Sequence, residues 1–358
     1  MNRKTAILAA LLAGLPLASA FAAPPQAAVV ERGADHQLSV SWTSPVPVDV
    51  YLADKADAPL AQARLVSARD VDGREQLAGA NPARGYFILK NTRTGELTRV
   101  AERVVPLEAG SNFRDLGGYP AAGGKHVRWG MIYRSGGTPL LTDGDLATIR
   151  DLGLANMIDL RSDEERQLAP TRIDGVAYTA YGYSMAKAGL TSGDMQTVYR
   201  GFPAMLQPQA KLVFATLLRG GQPLAYNCSA GQDRTGFVSA LVLSALGVPR
   251  DVIVADYHLS TTYRRPANEM PHIDVAAYPG NPVAQMFARY QDDPRARQPY
   301  PLKTADGTPF LSFAFAEIDA KWGSSMAICA MRLGCRPRTS RSCAGCIPNR
   351  RISPAGSG

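Results

Sequence analysis

Ten consecutive residues constrain this chain more than any others: Asn227-Cys228-Ser229-Ala230-Gly231-Gln232-Asp233-Arg234-Thr235-Gly236. They lie between an apolar run, Pro223 to Tyr226, and an apolar helical pattern, Phe237 to Leu246. Strand, then loop, then helix start is the setting in which backbone N–H groups can wrap a phosphate, with the helix N-terminus adding a partial positive charge. Cys228 opens the loop and Arg234 closes it six residues later. A thiolate held there can attack phosphorus while a guanidinium fork grips two oxygens of the transferring group. The competing reading is a buried core thiol beside a glycine-rich turn. Gly231 at the third position, Thr235 after the arginine and the strand–loop–helix context all favour the anion loop.

The surroundings fit that loop. From about residue 106, short apolar strands alternate with helical patterns. Met131-Ile132-Tyr133-Arg134 reads as a strand, and Ala155 to Leu160 as a buried one followed by Arg161-Ser162-Asp163-Glu164-Glu165. Thr142 is the expected N-cap of a helix with acids in its first turn, running to about Leu152 and stopping at Gly153. Further helices are expected near Thr191 to Gln207, Pro208 to Leu218, Thr235 to Leu246 and Asp251 to Ser260. The alternation predicts an α/β domain with a mainly parallel sheet over 106–322, its ligand loop at the carboxyl end of a strand. Residues 24–105 read instead as a small all-β sandwich, fibronectin type III-like. Leu38, Val40 and Trp42 alternate, and a hairpin signal runs from Gly85 through Asn91-Thr92-Arg93-Thr94-Gly95 toward Val105. Trp42 is expected in its core; a packing, presentation or partner-binding role is all that this segment supports.

The N-terminus carries Arg3 and Lys4, an apolar run from Thr5 to Leu17, and Ala18-Ser19-Ala20. That is the pattern of a signal peptide over 1–23, which predicts export to a periplasm or beyond and no membrane span once it is cut. The formal net charge of +8 is unevenly placed. Two positive charges belong to the leader and seven to residues from Lys321 onward, where no acid occurs, so the body is nearly neutral. A nucleic-acid partner is therefore not expected. Cys228 stands alone in the body, which suits a free thiol. Cys329, Cys335, Cys343 and Cys346 crowd residues 323–358, a basic stretch without helical periodicity. A lone Cys343-x2-Cys346 pair without histidine is weak evidence for zinc. A change of reading frame near Gly323 would explain the break in character.

Two separated stretches carry a resemblance. Ser111-Asn112-Phe113-Arg114-Asp115-Leu116-Gly117-Gly118-Tyr119 and the Cys228 loop are similar to those of the bacterial atypical tyrosine phosphatases. That family includes secreted enzymes acting on phosphotyrosine and, in some members, phosphoinositides. Arg134-Ser135 and Ile158-Asp159-Leu160-Arg161-Ser162 also fit its pattern. The resemblance covers roughly 106–322 and implies a reaction without metal or cofactor. It implies a phosphocysteine at Cys228, with Arg234 and the backbone of Ser229, Ala230, Gly231 and Gln232 holding the phosphoryl oxygens. Thr235 would donate its hydroxyl to the thiolate. Asp233 is the implied general acid, with orientation of Arg234 as its other reading. Asp159 is the rival acid, though it could equally pair with Arg161. Arg114 and Asp115 are supporting candidates, Asp115 either ordering Arg114 or the loop or serving structure alone. Two departures stand out: Asn227 where many members have histidine, and Gln232 where many have lysine. The missing cation disfavours highly charged phosphoinositide headgroups relative to phosphotyrosine. His258 and His272 lack any spacing that would make either a partner of Cys228. Three alternatives remain at this level: a phosphoinositide phosphatase on the same loop, a non-catalytic binder of phosphorylated ligands, and a rhodanese-like sulfurtransferase. The upstream Asn112 to Gly118 stretch argues against the last.

Overall fold

The computed structural model describes residues 24–77, 83–188, 194–298 and 300–323. The leader, the start of the helix expected from Thr191 and the cysteine-bearing tail lie outside these residues. The chain divides into two compact units, with a boundary between Val100 and Ala101 and with residues 55–57 and 82–84 grouped with the second unit.

The N-terminal unit is built of β1 (Gln26–Arg32), β2 (Leu38–Thr43), β3 (Val48–Ala53), β4 (Arg64–Asp70), β5 (Arg74–Gln76), β6 (Tyr86–Asn91) and β7 (Leu97–Ala101). They form a three-stranded sheet, β1-β2-β5, and a four-stranded one, β4-β3-β6-β7. Period-two alternation sends Leu38, Val40 and Trp42 of β2, and Val48 and Val50 of β3, to buried positions. Asn91 ends β6, and its Oδ1 accepts from the N–H groups of Arg93 (2.9 Å) and Thr94 (3.1 Å). This is the Asx chemistry that closes the β6–β7 hairpin.

The C-terminal unit contains β8 (Arg114–Asp115), β9 (Pro120–Ala121), β10 (Lys125–His126), β11 (Ile132–Ser135), β12 (Asn156–Asp159), β13 (Ala177–Ala180) and β14 (Leu224–Asn227). Its helices are α1 (Asp143–Asp151), α2 (Asp163–Leu168), α3 (Met195–Met205), α4 (Gln207–Arg219), α5 (Asp233–Ala245), α6 (Arg250–Tyr263), α7 (Ala284–Asp292) and α8 (Phe310–Trp322). The five-stranded sheet runs β13-β12-β14-β11-β8; the first three pairings are parallel and β8 joins antiparallel. Its central strand, β14, is wholly buried and apolar up to Asn227. One large core joins this strand to Phe202, Val213, Phe237, Leu241, Leu311 and Phe315 from the surrounding helices.

Local signals explain where the helices start. Thr142 caps α1 in a reciprocal box with Asp145, as the sequence requires. Helix α2 was not anticipated, yet Ser162-x-x-Glu165 is a capping box and both of its hydrogen bonds form. Helix α5 begins at Asp233 rather than Thr235. Asp233 and Arg234 are thereby placed in its first turn.

Candidate active site

Cys228 follows directly on the carboxyl end of β14, between β12 and β11, so the loop opens over the middle of the sheet. Its thiol is free and buried. Gln232 is the N-cap of α5 and makes no side-chain capping bond, so the first N–H groups of α5 lack the usual side-chain acceptor. That is the geometry in which a helix start receives an anion.

The shape of the loop is fixed through its carbonyls. The carbonyl of Ser229 accepts from Gly137 N–H at 2.7 Å. Those of Ala230 and Gly231 accept from Asn112 Nδ2 at 3.2 and 2.9 Å, and Gly231 also from Arg134 Nη2 at 2.8 Å. No peptide bond here is cis. In a trans peptide the carbonyl and the following N–H point in opposite directions. Tying these three carbonyls back therefore turns the N–H groups of Ala230, Gly231 and Gln232 to the loop's other side. Gly231 is required at its position: φ is +67°, and a Cβ would lie 2.5 Å from the Gly136 nitrogen. Asn112 is itself left-handed, with φ of +55°, a conformation that asparagine tolerates better than most residues.

Arg234 is aimed by a carboxylate the sequence reading missed. Glu165 accepts from Nη1 and Nη2 in a bidentate pair, both at 2.6 Å, and Tyr183 Oη accepts from Nη1 at 2.7 Å. Three of the five guanidinium N–H donors are so engaged, leaving the Nε–H and one Nη2–H on the adjoining edge. Glu165 also accepts from Ser229 Oγ at 2.6 Å and from Ser162 N–H at 3.0 Å. Burial alone would raise its carboxyl, but Arg234 and these hydrogen bonds outweigh burial and bring it to about 2. Tyr183 is pushed up to about 12, chiefly by burial, and stays a neutral phenol. The bonds that orient Arg234 come from Glu165, while Asp233 Oδ1 accepts from Tyr199 Oη at 2.7 Å.

Beneath the loop lies a buried cluster of two guanidiniums and one carboxylate. Asp256 accepts from Arg114 Nε at 3.2 Å and from Arg134 Nη1 at 2.7 Å. Burial opposes ionisation of Asp256, yet the two arginines hold its carboxyl well below the usual range. Burial and the neighbouring Arg134 pull Arg114 down to about 10. Arg114 also donates to Asn112 Oδ1, orienting the amide whose nitrogen holds the loop. Arg114, Asn112, Arg134 and Asp256 thus form one support, and of these only Arg114 was singled out from sequence.

The remaining candidates separate clearly. Asp159 pairs with Arg161 (Nε to Oδ1 2.9 Å, Nη2 to Oδ2 2.7 Å) and accepts from Tyr178 and Thr171. The ion pair holds it in the charged form against the effect of burial, so it is a structural anion and not an acid in waiting. Asp115 accepts from Arg84 at 2.7 Å and from the N–H groups of Gly117 and Gly130, ordering the turn after β8 rather than the loop. The expected bond from Thr235 to the sulfur is not made: Thr235 Oγ1 is buried without a partner. Sulfur accepts weakly unless it is ionised. Asn227 Nδ2 reaches the Cys228 carbonyl at 3.3 Å, while its Oδ1 has no partner. Gln232 is held from both sides, accepting from Arg264 Nη1 at 3.2 Å and donating to Tyr300 Oη at 3.3 Å. His272 is exposed, and His258 packs its ring against Tyr257.

The profile of the tyrosine phosphatase family matches residues 105–341, past Gly323 and clear of the N-terminal unit. A Cupriavidus necator protein, provisionally named a tyrosine-protein phosphatase, is 36% identical over 202 residues, or 51% of this chain and 74% of that one. The triple specificity protein phosphatase PtpB of Mycobacterium tuberculosis is 36% identical over 183 residues, or 41% of this chain and 65% of that one. Over most of its length the chain thus belongs to the tyrosine phosphatase family, and it is a protein-tyrosine-phosphatase-like hydrolase. Among solved structures, P. aeruginosa TpbA in complex with pTyr aligns at 14% identity with a TM-score of 0.23, over 47% of this chain and 90% of that one.

Proposed function

We propose that this protein is an exported phosphatase that hydrolyses phosphotyrosine in proteins through a phosphocysteine intermediate. The observation that carries the proposal is the convergence on one loop of the Cys228 thiol, the outward-tied carbonyls and a guanidinium with one edge left for oxygen. In the first step Cys228 Sγ bonds to phosphorus as the bond to the phenolic oxygen breaks. Asp233, at the start of α5, gives its proton to that oxygen. In the second step water attacks phosphorus, Asp233 takes a proton from it, and the S–P bond breaks to return the thiolate and inorganic phosphate. Arg234 and the N–H groups of Ser229 to Arg234 stabilise the equatorial oxygens in both steps. Thr235 Oγ1, unpartnered in the resting site, is available to the departing thiolate.

Phosphotyrosine is preferred over phosphoinositides because Gln232 brings no charge into the loop and Arg264, its cationic neighbour, is paired bidentately with Glu269 (2.7 and 2.8 Å). Among the described residues no helix is long and apolar enough to cross a membrane; the proposal of export rests on the leader pattern. The architecture is read as a mainly parallel α/β phosphatase domain preceded by a fibronectin type III-like sandwich, supported by the strand pairings and by the alternating burial of β2 and β3.

The test is phosphate release from a phosphotyrosine peptide by the mature chain and by Cys228→Ser, each with chelator present. Release by the wild type and its loss in the variant are expected. A folded wild type that turns over only phosphoinositides, or neither substrate, would overturn the proposal.

A further inference from the structure

Asp233 sits at the end of a chain of buried phenols that the catalytic loop itself does not require. Tyr199, on α3 and fully buried, donates its hydroxyl to Asp233 Oδ1 at 2.7 Å. The same hydroxyl meets that of Tyr257, on α6, at 2.6 Å. Tyr199 has a single proton to give. If it points to the carboxylate, Tyr257 must be the donor to Tyr199, so both protons are directed toward Asp233.

The rings are held by packing. Tyr199 packs with tilted rings at 4.7 Å from Phe202 and 5.9 Å from Phe310 and meets Tyr257 edge-on at 6.2 Å. Tyr257 closes on α5 at Gly236, where a Cβ would come within 2.9 Å of its ring. Burial, reinforced by the charge of Asp233, pushes both phenols upward, so both remain donors throughout the working range. Tyr300 also faces Asp233, and the charge of Asp233 followed by burial raises it too.

We infer that Tyr199, backed by Tyr257, is a positioning residue for the general acid: it occupies Asp233 Oδ1, so that the proton delivered to the leaving group resides on Oδ2. The inference rests on the reading of Asp233 as general acid. The phenols form no bond to substrate. They decide which oxygen of the carboxyl carries the proton and where that oxygen points, in the first step as donor and in the second as acceptor. A general acid typically supplies about 10²–10⁴-fold, so losing its alignment removes part of that factor and leaves the nucleophile untouched.

The test compares two aryl phosphates by kcat/KM, which reports steps up to leaving-group departure. Phenyl phosphate needs a proton on its strongly basic leaving oxygen; 2,4-dinitrophenyl phosphate does not. Tyr199→Phe is expected to lower kcat/KM about tenfold or more on phenyl phosphate and to leave the dinitrophenyl ester within about threefold. Tyr257→Phe, which keeps the direct bond, should show the same selectivity at smaller amplitude. Activity on the activated ester doubles as the check that each variant is folded. Asp233→Asn separates the two claims. If it loses phenyl phosphate selectively while Tyr199→Phe does not, the positioning inference is wrong and the general acid stands. If Asp233→Asn itself shows no selectivity, the acid reading fails and the inference with it. An equal loss on both esters in Tyr199→Phe would assign the phenol to structure alone.

Discussion

The two units of this chain each bury an apolar core but differ in the charge they bury beside it. Among the described residues of the N-terminal unit, the buried polar side chain is Asn91, and it caps a turn. The rest of that interior is apolar, chiefly valine, leucine, isoleucine, phenylalanine, alanine and tryptophan, much of it supplied by the strands. In the C-terminal unit the largest fully buried side chains are Arg114, Arg134 and Arg161, matched by Asp159, Glu165 and Asp256. Removing charges from water is costly, and replacing buried pairs by apolar residues is often neutral or stabilising. A fold asked only to be stable would resemble the first unit. In the second, Arg134, Arg114 and Asp256 support the Cys228 loop and Glu165 aims Arg234, while the Arg161–Asp159 pair serves structure. Under the proposed function the first group is placed for the site rather than for stability.

That contrast can be broken by substitution. The largest effect is expected at Glu165. In Glu165→Gln the Arg234 guanidinium loses its bidentate anchor, and kcat/KM on a phosphotyrosine peptide should fall on the order of 10²–10³-fold, about 3–4 kcal/mol of lost transition-state stabilisation. The same residue sets an acid limit. Its carboxyl lies at about 2 in the fold against an ordinary value of 4.5. The depressed value means its contribution is complete above about pH 4.5 and is lost as pH falls toward 2. Acid titration of stability should show a component of roughly 3 kcal/mol over that interval, absent in Glu165→Gln. A variant that kept wild-type kcat/KM would remove Glu165 from the site.

Asn112→Ala comes next. It removes the donor shared by the Ala230 and Gly231 carbonyls and leaves Arg114 without one partner. The two bonds lost from the loop carbonyls, at about 1 kcal/mol each, predict a fall in kcat/KM of roughly tenfold or more, with Ki for inorganic phosphate analogues rising in parallel. The smallest effect on catalysis is expected from the other unit. Trp42→Ala should destabilise that unit by about 3–5 kcal/mol in denaturant unfolding, while the folded protein keeps kcat/KM within about twofold. A catalytic loss at Trp42 comparable to that at Glu165 would erase the distinction between the units.

The parts of this site legible in the sequence are those whose chemistry is packed into adjacent positions. Cys228, Gly231, Arg234 and Thr235 lie within eight residues, and both neighbouring elements announce themselves by apolar pattern. Asp159 was readable as a partner of Arg161 because the two are separated by one residue. Glu165 was not, since the loop it serves lies 69 residues away from it at Arg234. Its only local trace is the Ser162-x-x-Glu165 box that starts α2. Asn112 stood in a quoted motif, but its role depends on a left-handed backbone that one residue type does not announce. Tyr199 and Tyr257 look like core aromatics on helical faces, and they are; the hydroxyl on each is what the periodicity cannot weigh. Asp256 and Arg134 meet across 122 positions, a distance no spacing rule covers.

The central claim is a covalent phosphoryl group on Cys228. Asp233→Asn, slowed in returning the intermediate to water, would be mixed with 2,4-dinitrophenyl phosphate, quenched in acid and mapped by peptide mass spectrometry. One phosphoryl group on the peptide bearing Cys228, absent in Asp233→Asn/Cys228→Ser, is the expected result. Release of the nitrophenol with no adduct on Cys228, or with an adduct on another residue, would contradict the account.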